Sequence, residues 1–193
     1  MLFKILIGLK YLIAGLGNIG PDYEETRHNI GFMVLDSLAT KLKSSFEPAR
    51  YGDKAVVSHK GRSYILIKPS TYMNRSGKAV QYWLKKEKLT PERLLVVVDD
   101  VSLSTGALRM RAKGGDGGHN GLASIIEIMG HSSFSRLRFG IGNEYPKGFQ
   151  SDYVLGKWKN EELELIKSRI EIAGEMILSF GTIGVERTMN FFN

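Results

Sequence analysis

The 193-residue sequence contains no cysteine. That excludes a disulfide framework, thiolate metal sites and a cysteine nucleophile, and it fits a cytosolic protein. Long apolar runs are missing too: no segment offers the about 18 uninterrupted apolar residues of a membrane span. The first ten residues, MLFKILIGLK, are broken by Lys4 and Lys10 and are followed by no small-residue cleavage site. They do not read as a secretory signal. There is no G-x-x-x-x-G-K-[ST] loop to hold nucleotide phosphates, no H-E-x-x-H pair to hold zinc and no nucleophile elbow. Repeats, low-complexity tracts and linkers are also lacking, so residues 1–193 read as one domain.

What is present is a surplus of positive charge, +7 at neutral pH. It points to a polyanionic partner, RNA or DNA before membrane. Apolar patterning predicts a strand over residues 11–16 and a helix through the stretch that carries Phe32, Leu35, Leu38 and Leu42. Residues 54–58 and 63–68 flank Lys60-Gly61 as a hairpin. KAVQYWLKKEK reads as a helix with a basic outer face. LLVVVDD, residues 94–100, is apolar on both faces and reads as a central strand. Strands over 107–113 and through FSRLRFGIG bracket a helix over 122–129 that Gly130 stops. A last helix runs from Asn160, with Glu161 and Glu162 in its first turn, to about residue 180. The expected fold is α/β: a single domain with a twisted mixed β-sheet flanked by helices.

YLIAGLGNIG, residues 11–20, carries the G-x-G-x-x-G spacing of a dinucleotide fingerprint, but its context is wrong. In a dinucleotide site the helix begins within the glycines so that its N-terminus faces the pyrophosphate. Here Pro21, Asp22 and Tyr23 intervene and helical patterning starts near Asn29. The acidic residue at the right distance, Asp36, lies inside that helix. The glycines instead read as a sharp turn that presents Asn18 at a strand's C-terminal end.

Four stretches are polar where a plain core needs no polarity: Asn18, TRHNIG, YMN and GGHNG. Of the four histidines, His59 and His131 read as surface residues, whereas His28 and His119 sit beside these loops. A histidine base needs an acceptor on its other ring nitrogen, and Asp99 at the end of the central strand is the acceptor for His28. With nucleotide, zinc and covalent chemistry disfavoured, a histidine that activates water is the simplest chemistry left. Asn18, Asn74 and Asn120 offer amide donors and acceptors for a peptide group. Arg109, Arg111 and Lys113 alternate along one strand and Arg136 and Arg138 along another, giving two cationic rows suited to a phosphate backbone.

The stretches GLGNIGPDYEETRHNIGF, KPSTYMNRSGKAV, VVVDD and GGDGGHNGLASI, followed by RLRFGIG, closely resemble bacterial-type peptidyl-tRNA hydrolase from about residue 11 to the C-terminus. The resemblance implies a monomeric cytosolic esterase, free of metal and cofactor, that cleaves the bond between a peptide and the 3′ ribose of tRNA. Carried over, His28 is the general base, Asp99 orients it, and Asn18 contacts substrate near the ester and helps separate blocked from free aminoacyl-tRNA. Asn74 with Tyr72 and Met73, and Asn120, hold the peptide and the CCA end, and Tyr23 lines the same cleft. Arg111 and Arg138 match positions that clamp tRNA phosphates; Arg109 and Lys113 join them from strand geometry. The departures are Ile19 in place of the family's usual proline, VSLSTG after the paired aspartates, Asp116 in the glycine loop, and residues 1–10 as an added N-terminal extension. A non-catalytic RNA-binding relative is the rival reading, with a nicotinamide-dependent enzyme a distant third.

Overall fold

The computed structural model describes residues 9–193. The proposed N-terminal extension falls mostly on residues 1–8, outside the described residues. Strand β1 (Lys10–Gly15) follows, then α1 (Ile30–Lys41), β2 (Glu47–Ala49), β3 (Gly52–His59) and β4 (Arg62–Pro69). Helix α2 (Ser76–Glu87), β5 (Leu94–Asp100), β6 (Leu108–Arg111), α3 (Asn120–Met129) and β7 (Ser135–Gly140) come next. The chain ends in α4 (Gln150–Val154), α5 (Asn160–Ile183) and α6 (Val185–Phe192). The seven strands form one mixed sheet in the order β2-β3-β4-β1-β5-β7-β6. Its centre is parallel: β1 pairs with β4 and β5, and β5 with β7. Antiparallel partners sit at both edges.

Alternation along the buried strands divides the core in two. Tyr11 and Ile13 of β1, with Leu95 and Val97 of β5, face α1 and α5. Leu12, Ala14, Val96 and Val98 face the opposite way, toward Trp83 of α2 and Leu122 and Ile125 of α3. A strand covered on both faces cannot alternate apolar with polar residues. This is why LLVVVDD stands out so plainly in the sequence.

The glycines near β1 work differently from the sequence expectation. Only Gly20 has a positive φ, 108°. A Cβ on Gly15 would lie 2.3 Å from the Gly31 carbonyl oxygen, and one on Gly17 would meet the Phe32 ring at 2.8 Å. These residues allow α1 to approach the sheet, with the sharp turn confined to Gly20. Gly31 is the counterpart on the helix: its Cβ would fall 2.4 Å from Leu16 N, 2.5 Å from Leu16 O and 2.7 Å from Val97 O. All three are backbone atoms that cannot swing aside. Gly31→Ala is therefore expected to destabilise the fold at the upper end of the about 1–3 kcal/mol typical of overpacking, as read by urea denaturation.

Two other sequence expectations need correction. Strand β6 ends at Arg111, so Lys113 lies beyond the alternation that was to align it with Arg109 and Arg111. The final helix continues to Ile183, and α6 follows after Gly184, whose φ is 85°. Val185, Met189 and Phe192 pack onto the core from α6; their i, i+4, i+7 spacing was present in the sequence. The side chain of Asn193 then pairs with edge strand β6, accepting from Met110 N at 2.7 Å and donating to Met110 O at 3.0 Å.

Candidate active site

Parallel β1 and β5 end on the same edge of the sheet, and the polar loops gather there. They border a cleft of about 920 Å³. Asn18, His28, Tyr72, Met73, Asn74, Asp99, Asn120 and Arg138 all line it. Tyr23, Arg109, Arg111 and Lys113 do not.

His28 sits in a short 3₁₀ turn, Arg27–Asn29, whose other residues are buried anchors. Thr26 Oγ1 donates to the Tyr23 carbonyl at 2.8 Å. Tyr23 therefore serves by its backbone as part of the turn's footing, and its side chain is not among those bordering this cleft. Arg27 donates to Lys157 O at 2.6 Å and to Glu162 at 2.8 Å, and its guanidinium stacks 4.5 Å from the Tyr153 ring centroid. The turn is thereby stapled to the chain between α4 and α5. Asn29, also buried, accepts from Asn18 N at 2.8 Å and donates to Asn18 O at 2.9 Å. Two of the four residues in TRHN that looked like chemistry thus position the residues that face the cleft.

The histidine meets its partner. His28 Nδ1 lies 2.8 Å from Asp99 Oδ1, and Asp99 is 4% exposed. Burial works to raise the Asp99 pKa, but the two imidazoles beside it outweigh that effect and hold it at about 2. The carboxylate is consequently ionised and can only accept, so His28 presents Nδ1–H to it. This leaves the Nε2 lone pair for the cleft.

His119 is the second imidazole, a contact that sequence spacing did not reveal. Its Nε2 lies 3.0 Å from the same Asp99 Oδ1. Its Nδ1 accepts from Gly121 N at 3.1 Å and Leu122 N at 3.3 Å, capping α3. Those two N–H groups can only donate, so the proton of His119 resides on Nε2. His28, Asp99 and His119 bring potential metal-ligand atoms within 4.8 Å of one another. The facing atoms are already joined as hydrogen-bond donors and acceptor, and a metal between them would have to break both histidine–aspartate bonds.

Asn18 is oriented just as firmly. Its Oδ1 accepts from Met73 N at 2.8 Å, which fixes the amide so that Nδ2 is the end left over. Tyr72, immediately before Met73, has φ 56° and ψ 158°. Such backbone is nearly confined to glycine and costs about 1–3 kcal/mol. The strained residue turns the Met73 N–H onto Asn18 and leaves Tyr72 53% exposed at the cleft.

The cationic rows are real in register and unequal in use. Arg109 pairs across the sheet with Arg138, and Arg111 with Arg136. Arg136, however, is 2% exposed and donates to the carbonyls of Gly114, Gly115, Ser132 and Phe134. It anchors the glycine loop and cannot meet a phosphate. Arg138 donates to Asp100 at 2.5 Å and to Ser102 at 2.9 Å. Arg111 is exposed, with one bond to the Met110 carbonyl. Among the described residues no helix is long and apolar enough to cross a membrane.

The sequence and the fold both match known proteins over nearly their whole length. The family model described as peptidyl-tRNA hydrolase matches residues 12–193. A peptidyl-tRNA hydrolase of Bacteroides fragilis is 54% identical over 96% of this chain and 99% of its own length. One of Cytophaga hutchinsonii is 51% identical over 96% and 98%. The crystal structure of peptidyl-tRNA hydrolase from Acinetobacter baumannii superposes with a TM-score of 0.89 at 36% identity, covering 95% of this chain and 94% of that one. By matched length, identity and fold alike, the chain belongs to the peptidyl-tRNA hydrolase family.

Proposed function

We propose that this chain hydrolyses the ester between a peptide and the 3′ end of tRNA, with His28 as general base. The observation that carries the reading is the His28–Asp99 pair, which leaves one imidazole nitrogen basic and facing the cleft. His28 Nε2 takes a proton from water as the oxygen attacks the ester carbonyl, and Asp99 stabilises the imidazolium. Asn18 Nδ2 donates to the oxyanion of the tetrahedral intermediate. As the intermediate collapses, the ester C–O bond breaks and the ribose oxygen regains the proton from His28.

Tyr72, Met73, Asn74 and Asn120 hold the peptide and the CCA end. Selection against free aminoacyl-tRNA follows from the same surface. An ammonium placed where a neutral amide belongs would be desolvated without a partner, at considerable cost. The tRNA phosphates lie along Arg109, Arg111, Lys113 and Arg138. Each contact adds roughly 0.7–0.9 to the magnitude of the log K versus log salt slope. Arg111→Ala is expected to weaken tRNA binding and to reduce that slope by about this amount in filter-binding titrations. All the residues assigned to the reaction come from one chain, which suits a monomer, and the cysteine-free composition suits the cytosol.

Incubation with N-acetyl-aminoacyl-tRNA and with free aminoacyl-tRNA tests the reading. Acyl release from the blocked substrate alone is the expected result. Bound tRNA with no release from either would favour a non-catalytic RNA-binding protein.

A further inference from the structure

The mechanism above leaves one half-buried imidazole without a task. His119 caps α3, a role that Asn, Asp or Ser fills more often than histidine. What an Asn at this position could not do is reach Asp99. The histidine uses both ring nitrogens: Nδ1 accepts from Gly121 and Leu122 N–H, and Nε2–H donates to Asp99 Oδ1 at 3.0 Å. That is the same oxygen that holds His28 at 2.8 Å. The ring centroids of the two histidines stand 5.1 Å apart.

We propose that His119 is a positioning residue that sets the base strength of His28 by competing for the carboxylate oxygen that both imidazoles share. The inference rests on the reading of His28 as general base. An acceptor that serves two donors stabilises each less than it would stabilise one alone. While His119 donates, Asp99 has less negative potential to spend on the imidazolium form of His28. His28 therefore releases its proton more readily and stays competent to lower pH. The helix contributes by locking the tautomer: the N-terminal N–H groups of α3 occupy Nδ1, and protonation there would set a cation against the positive end of the helix dipole. The other charged groups lining the cleft are Arg75, Asp100, Asp116 and Arg138. Asp100 and Arg138 are paired with each other, and Asp116 accepts from Gly118 N. From the 3₁₀ turn, Arg27 points away to Glu162.

His119→Asn separates capping from competition, because asparagine keeps the cap and loses the contact with Asp99. Removing the second donor strengthens the hold of Asp99 on protonated His28. The acid limb of kcat/KM against pH is then expected to move up by about 0.5–1 pH unit, a fraction of a charged hydrogen bond. The plateau above it should change little. His119→Ser provides the same comparison if the asparagine variant folds poorly. The imidazole NMR titration of His28 in each variant reads the effect without catalysis, and in the unmodified protein it must show His119 protonated on Nε2. An acid limb and a His28 titration that stay in place, or move to lower pH, would overturn the proposal, whatever happens to the rate. A His28 titration that moves while the acid limb does not would instead count against His28 as the base.

Discussion

Exchange of His28 for alanine is expected to lower kcat by about 10²–10⁴-fold, the worth of a positioned general base, with binding of uncharged tRNA retained. The imidazole reaches the cleft from a turn whose buried members, Thr26, Arg27 and Asn29, carry the local stability. Deleting the partly exposed ring should therefore leave the fold intact, as circular dichroism and thermal unfolding would show. The carboxylate behind it does not set the pH range of catalysis. Asp99 has its pKa lowered from 3.8 to about 2, so it is ionised throughout the range in which the enzyme is assayed. Its depressed folded-state pKa means that its contribution to stability is present above about pH 4 and is lost as pH falls toward 2.

Asn18 carries the second large effect. Because Met73 N–H occupies Oδ1, and only an acceptor can sit there, Nδ2 is the part of the amide left free for the proposed oxyanion contact. Asn18→Ala is expected to cost about 10²–10³-fold in kcat, the range seen on removal of an oxyanion donor. The rate in single-turnover hydrolysis of N-acetyl-aminoacyl-tRNA is the measurement. Asn18→Asp sharpens the test, since a carboxylate keeps the Met73 contact but offers an acceptor where a donor was. It should lose comparable rate, and its negative charge should narrow the preference for blocked over free aminoacyl-tRNA by giving an ammonium a partner. Preserved activity in the aspartate variant would mean that the Met73 contact, and not the free N–H, is what the site requires.

Much of the architecture was legible because it depends on local pattern. The doubly covered β5 reads as an unbroken apolar run, and the β3–β4 hairpin is announced by two strand-like stretches flanking the Lys60-Gly61 turn. Helix α6 was missed because the last helix was read only to about residue 180, although the apolar spacing of Val185, Met189 and Phe192 was there to be found. The glycines after β1 were legible as necessary, yet their reason was not. Close approach of Gly15 to Gly31 is a tertiary fact that no local pattern encodes. The site divides along the same line. Asn18, His28, Asp99 and Asn120 were legible as residue types placed at loops on one sheet edge. What Asn29, Arg27, Arg136 and His119 do depends on contacts across large sequence separations: Arg27 reaches Glu162, and His119 reaches Asp99. Arg136 shows the opposite error, since an alternating pattern gave it the same standing as Arg138 while the fold buried it beneath the glycine loop.

The most direct test of the account is the pH dependence of single-turnover hydrolysis of N-acetyl-aminoacyl-tRNA by the unmodified protein and by His28→Ala, at fixed ionic strength. With His28 as the base, the rate rises with pH through a single-proton acid limb in the unmodified protein. In the variant that limb should be gone and the residual rate should follow hydroxide alone. A variant that keeps both the limb and most of the rate would contradict it, and the base would have to be sought elsewhere in the cleft.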